Sequence, residues 1–264
     1  MSKVWWGSFQ FEIGQTGKWE IGPLRLALQR LAREWHVAYE QKSSPDDDPN
    51  TWQCNLSAPA LKEIGLANAT RYLFDQTGGA LRLIPMLADR PVVTRPLTPF
   101  AVPPNETVTI YVSSPLWVSI EVGDPAKKLQ EVLTRRPSDT WFGPSTIKGE
   151  LGYASRTYGH INLENVPIRP HRAVTQVLIE NKSDSQLLIE RLSLPVPYLS
   201  LFATPEGQLW TQVVALTRTR DTGMAAFQIS PQLPEAAIGA EEVSGPRQTP
   251  GANMVVRAFG RLFR

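Results

Sequence analysis

Residues 91–122 read PVVTRPLTPFAVPPNETVTIYVSSPLWVSIEV, and this stretch decides the fold class. Val92 and Val93 precede Pro96 and Pro99, and Pro103-Pro104-Asn105-Glu106 is turn material. Residues 107–112 and 116–122 then read as two strands split by Ser113-Ser114-Pro115. Short strands punctuated by proline are the rhythm of sandwich domains. The whole chain shares this character, with 23 prolines and 18 glycines in 264 residues. Such a composition favours short elements and turns over long helices. The expected fold is therefore mainly β, an antiparallel β-sandwich type of architecture with few short helices.

Upstream, Trp5, Gly7, Phe9 and Phe11 alternate with Trp6, Ser8, Gln10 and Glu12, as in a strand. A turn at 14–17 and a second strand from Trp19 predict a hairpin. In 23–40 the spacing of Leu24, Leu28, Leu31 and Trp35 fits a helix. The alternation of Leu24, Leu26 and Leu28, then Trp35, Val37 and Tyr39, favours strands. Downstream, Asp124 as N-cap and the grouped Leu129, Val132 and Leu133 predict a short helix over 124–134. Hairpins are expected at 141–158, at 174–194 around Asn181-Lys182-Ser183-Asp184, and at 198–220 around Pro205-Glu206-Gly207.

These elements make residues 1–230 a β-rich globular region. It is either one large domain or two packed sandwich halves with a boundary near 123–140. Residues 231–252 hold four prolines, three glycines and Glu235, Glu241 and Glu242, and read as a flexible linker. Residues 253–264 form a basic, amphipathic tail. On a helix, Arg257, Arg261 and Arg264 share one side, while Val255, Val256, Phe259, Leu262 and Phe263 gather on the other. Asn253 is a suitable N-cap. Val255, Arg257, Phe259, Arg261, Leu262, Phe263 and Arg264 are thus the candidate contact residues for a partner groove or an anionic membrane. Docking onto the chain's own β domain and simple disorder are the alternatives.

Catalytic chemistry finds little support. The sequence has no HExxH, no paired-cysteine zinc pattern and no GxSxG elbow. Gly143-Pro144-Ser145-Thr146-Ile147-Lys148-Gly149 lacks the ending of a phosphate loop. The run Asp46-Asp47-Asp48 has the wrong spacing for a Ca²⁺ loop and reads as a solvated tip. His36, His160 and His171 carry no ligand spacing. No catalytic, metal or cofactor residue is therefore assigned. A formal charge of +2 argues against nucleic acid as partner. The lone Cys54 fits a reducing compartment. No apolar run follows Lys3 and none reaches 18 residues, so neither a leader nor a membrane span is expected. The expectation is a cytoplasmic protein, peripheral at the inner face of the membrane if the tail binds lipid.

Phe142-Gly143, Gly152-Tyr153 with Arg156 and Tyr158, Ile179-Glu180-Asn181, Ile189-Glu190-Arg191 and Leu194-Pro195 stand in this order. With Gly22-Pro23-Leu24, Glu34-Trp35 and Tyr111-Val112-Ser113-Ser114-Pro115, they resemble a prokaryotic family known as domain of unknown function number four hundred and thirty-two. The resemblance covers most of 1–230 and leaves the tail outside. It implies a β-rich fold, no established catalytic residue, and an association with small-conductance mechanosensitive channels. Together with the residues, it points to a non-catalytic accessory or interaction protein, with a membrane channel or another protein as partner. The alternative is a carbohydrate-type ligand-binding module using Trp5, Trp6, Trp52, Trp117, Trp141 and Trp210 as platforms. An enzyme of unrecognised type is the third reading.

Overall fold

Alternating apolar residues at period two build strands almost everywhere. The computed structural model describes residues 4–42, 50–66, 68–96, 98–135, 137–145, 147–220, 223–251 and 253–260. Its first strands are β1 (Gly7–Gln10), β2 (Thr16–Ile21), β3 (Leu24–Arg30), β4 (Glu34–Gln41), β5 (Trp52–Asn55), β6 (Asn68–Leu73) and β7 (Ala80–Met86). Next come β8 (Val92–Pro96), β9 (Phe100–Val102), β10 (Thr107–Pro115), β11 (Trp117–Val122), β12 (Lys127–Leu133), β13 (Ser138–Phe142) and β14 (Glu150–Gly159). Then follow β15 (Arg172–Asn181), β16 (Leu187–Ile189), β17 (Arg191–Leu194), β18 (Leu201–Ala203), β19 (Leu209–Thr211) and β20 (Val214–Arg218). The last are β21 (Met224–Ile229), β22 (Glu241–Ser244), β23 (Val255–Arg257) and β24 (Phe259–Gly260). One α-helical turn, α1 (Leu61–Ile64), and three 3₁₀ turns complete the described elements. Among the described residues no helix is long and apolar enough to cross a membrane.

Two compact units divide the chain. Unit 1 is Met1–Met86 with Leu116–Arg136 and Arg169–His171, and unit 2 is Leu87–Pro115 with Pro137–Ile168 and Arg172–Arg264. The chain therefore passes between units five times, and only the passage after Arg136 falls in the expected 123–140 window.

Unit 1 is a sandwich of a four-stranded sheet, β1-β7-β11-β12, and a five-stranded sheet, β5-β2-β3-β4-β6. Both donate to one core: Trp19, Ile21, Leu24, Leu26, Leu28, Trp35 and Val37 from one sheet, Leu81, Leu83, Val118, Ile120 and Val132 from the other. The strand reading of 23–40 holds, as β3 and β4 pair along Leu24↔Gln41 to Arg30↔Trp35. The predicted 5–22 hairpin does not form, because β1 pairs with β7 while β2 pairs with β3 and β5. Phe9 and Trp19 meet instead edge to face, 5.3 Å between ring centroids. The predicted helix over 124–134 is a strand. β12 lies antiparallel to β11, and only Val132 of its apolar group is buried. Pairing with a neighbour overrode a weak helical grouping.

On the outer face of unit 1, Glu34 accepts from Arg71 Nε at 2.9 Å and meets His36 Nε2 at 2.5 Å. Arg71 first and His36 second hold the Glu34 carboxyl down to about 2, from an ordinary 4.5. A depressed acid stabilises the fold above its unfolded pKa, and that contribution fades as pH falls through the folded one. Unit 1 should lose stability between about pH 4.5 and about pH 2, and Glu34→Gln should shallow that loss. Urea midpoints of both proteins at about pH 5 and about pH 3 check this, and parallel losses would contradict it.

Unit 2 holds an eight-stranded sheet, ordered β22-β18-β19-β15-β20-β21-β23 with β10 also on β15, a five-stranded sheet, β13-β14-β8-β17-β24, and the ribbon β16-β9. Buried Arg218 ties the first sheet to the turn after β15, with Nη1 donating to Asn181 Oδ1 (3.2 Å), Ser183 Oγ (2.9 Å) and the Ser185 carbonyl (3.1 Å). The flexible-linker expectation for 231–252 is corrected here. β22 pairs with β18, Ala237 is fully buried beside Val166, Val174 and Trp210, and Arg247 Nε donates to the Leu87 carbonyl at 2.7 Å. Backbone pairing and one small anchor order a segment whose side chains alone could not.

The helical tail is corrected as well. β23 pairs with β21 and β24 with β17, and Asn253 takes a left-handed turn (φ 55°) rather than capping a helix. Val255 is exposed whereas Val256, Ala258 and Phe259 are buried, so the segment docks on its own β unit. Unpaired sheet edges supplied the hydrogen bonds that a twelve-residue helix would have had to make alone.

Candidate functional site

The five-stranded sheet of unit 2 presents the most concentrated apolar exposure. β13 is its edge strand and pairs antiparallel with β14, so Trp141 lies opposite Leu151 and Asp139 opposite Tyr153. Trp141 and Leu151 are 37% and 44% exposed, and Ile147 in the connecting loop is 88% exposed. Three of the eight large exposed apolar residues among the described ones therefore belong to a single hairpin. Contiguous exposure of this kind marks contact surfaces, whereas single exposed residues do not.

The loop is built to hold that shape. Ile147 and Lys148 backbone N–H groups donate to Ser145 Oγ at 3.3 and 3.0 Å, and the Trp141 indole donates to the Ser145 carbonyl at 2.7 Å. Gly143 is required by close approach, since a Cβ there would lie 2.1 Å from the Lys148 carbonyl oxygen. Two of the loop's backbone amides are thus taken by Ser145 and are not left for a phosphate.

Behind the hairpin the sheet curls, bringing β17 to β13. Buried Arg191 donates from Nη2 to Thr140 Oγ1 and to the Trp141 carbonyl, both at 3.0 Å, and its guanidinium stacks 5.1 Å from the Phe142 ring centroid. Burial lowers the Arg191 pKa, and neighbouring Arg95 lowers it further. Glu150, where β14 begins, has its pKa raised by burial, with Arg257 and the Ser193 hydroxyl opposing. At the outer rim, Arg90 sits over the Tyr153 ring at 5.4 Å and reaches Asp139 at 3.3 Å, while Tyr153 donates to Asp89 at 2.9 Å. Register puts Trp141 and Leu151 on the same face of the hairpin as Asp139 and Tyr153, the apolar pair beside the polar one.

The tail residues proposed for contact fall in unit 2. Phe259 is buried on β24, whose Gly260 lies against the Phe142 ring of the hairpin, and Val255 and Arg257 sit on β23 at the edge of the eight-stranded sheet. Arg261, Leu262, Phe263 and Arg264 lie outside the described residues, as does the acidic run 46–48. Of the proposed tryptophan platforms, Trp5, Trp117 and Trp210 are buried, Trp6 and Trp52 are half-buried against the unit 1 core, and Trp141 alone is exposed. His36 meets Glu34, His160 exchanges backbone bonds with Tyr111, and His171 is buried under Gly22. No group of three His, Cys, Asp or Glu stands together as metal ligands among the described residues. Burial pushes the Cys54 thiol up to about 11, although the residue reaches the surface, so it is protonated at neutral pH. Sequence reasoning passed over Ile147, and its signal was an isolated large apolar residue between Pro144 and Gly149 in turn material.

The chain is a mainly β protein whose clearest exposed feature among the described residues is the apolar β13–β14 hairpin. Residues 5–264 match the family model described as "Protein of unknown function (DUF432)", and the chain belongs to that family. The match extends through the C-terminal strands, which the sequence resemblance had left outside. No curated protein and no solved structure matches the chain.

Proposed function

We propose that this protein is an accessory protein that binds another protein through the β13–β14 hairpin. The observation that carries the reading is Ile147, 88% exposed, with its own N–H and that of Lys148 held by Ser145 Oγ. Burying an isoleucine yields about 1.5–3 kcal/mol, and tryptophans at the centre of interfaces commonly contribute 2 kcal/mol or more. Ile147 and Trp141 supply both at one place, with the Arg90, Asp139 and Tyr153 rim around them. A membrane protein such as a channel is one partner to test. The carbohydrate reading is weaker, because five of its six platforms are buried or half-buried.

Affinity capture from detergent-solubilised native membranes and from the soluble fraction tests the proposal. Ile147→Asp should leave melting unchanged within about 0.5 kcal/mol, as an exposed substitution does, and weaken partner retention about tenfold or more. Equal retention by the wild type and the variant would overturn the proposal.

A further inference from the structure

Unit 2 carries a second feature, distinct from the hairpin: an open cleft of about 780 Å³ on one face of the eight-stranded sheet. That volume lies within the range of binding sites. Register lays out its floor. Tyr111 on β10 lies opposite Gln176 on β15, Leu178 on β15 lies opposite Ala215 on β20, and Ala215 lies opposite Gln228 on β21. Leu163 stands on one side, and residues 229–236 form the other wall, ending at the 3₁₀ turn Glu235–Ala237 that Ala237 anchors in the core.

Of the polar residues on this floor, Tyr111 and Gln176 are half-buried and Gln228 is exposed. Among the described residues, the side chains of Tyr111, Gln176 and Gln228 form no hydrogen bond. They alternate with Leu178, Ala215 and Val213 on the same surface. A primary amide both donates and accepts, which is the pattern a peptide unit presents in return. Gln176 and Gln228 are separated by two strand spacings and by two residues along the strand. That places their Cα atoms about 12 Å apart, the span of three to four residues of extended chain. Leu163, Leu178, Ile229 and Leu233 are apolar residues of the same lining. Glu235 at the rim is the one acid or base lining the cleft besides the Tyr111 phenol, so the floor itself carries no formal charge. Saccharides are recognised largely by aromatic stacking, and the cleft offers one tyrosine and no tryptophan.

We infer that this cleft binds an extended, uncharged peptide segment, with the Gln176 and Gln228 amides pairing to its backbone and Leu178 and Leu233 receiving its side chains. The test is side-chain amide NMR of the full chain, with the Gln176 and Gln228 NH₂ signals assigned by substitution. The probes are mixtures of N-acetylated, C-amidated pentapeptides of uncharged residues, and, in separate samples, glucose and N-acetylglucosamine oligomers. The peptides should shift both NH₂ signals. Gln176→Leu combined with Gln228→Leu should weaken binding about tenfold or more, followed through neighbouring backbone signals, with melting unchanged. Absence of shifts at millimolar peptide, shifts caused by the saccharides instead, or undiminished binding by the double variant would each overturn the inference.

Discussion

Gly22→Ala should lower the stability of unit 1 by about 2–4 kcal/mol, with melting about 5–15 °C lower. Gly22 turns the chain between β2 and β3 at φ 54°, a conformation that costs an L-residue about 1 kcal/mol. A Cβ there would also lie 2.2 Å from His171 Nδ1 and 2.7 Å from Cγ. His171 is fully buried, so the ring has nowhere to retreat, and overpacking of this kind costs about 1–3 kcal/mol. Gly14→Ala is the matched control. Gly14 also has a positive φ, 89°, but a Cβ there meets nothing within 4 Å. It should lose only the conformational part, about 1 kcal/mol. Thermal and urea denaturation of both variants decide the matter, and equal losses would show that the His171 contact is not what makes the site intolerant.

Deletion of residues 241–264 should prevent unit 2 from folding cooperatively. The deletion removes β22, β23 and β24, strips the buried Val256, Ala258 and Phe259 from the unit, and leaves β17, β18 and β21 without those neighbours. Truncating one buried phenylalanine already costs about 3–5 kcal/mol. With the lost pairing, the total rivals the whole stability of a domain, about 5–15 kcal/mol. Phe259→Ala alone should cost about 3–5 kcal/mol. Amide hydrogen exchange reports the outcome, with protection lost across β15, β20 and β21. Native protection in the deleted protein would restore the view of 231–264 as a linker and detachable tail.

Strand content was legible wherever burial alternates along one chain segment. Leu24, Leu26 and Leu28, or Val118, Ile120 and Val122, show their inward face without any partner being known. Partnership was not legible. β1 and β2 are adjacent in sequence yet lie in different sheets, because Phe9 and Phe11 face Trp19 and Trp35 across a core rather than along a ladder. The C-terminal segment misled for a related reason. Val255, Val256, Phe259, Leu262 and Phe263 satisfy helical spacing, while Val256, Ala258 and Phe259 settle between strands that a composition reading cannot see. The hairpin was legible as a hairpin at 141–158, but not as a surface. Whether Trp141 or Phe142 faces solvent depends on Arg191 arriving from β17, about 50 residues away, to cover one side of the sheet.

Photo-crosslinking from the hairpin tip tests the central proposal most directly. A photoreactive residue replaces Ile147 in one protein and exposed Glu206, in the turn between β18 and β19, in a second. Both are irradiated in cells, and their adducts are compared by mass. Position 147 should give a discrete adduct with one protein that is absent from position 206 and competed by excess wild-type chain. The same adducts from both positions, or none from 147, would contradict a binding role for this surface.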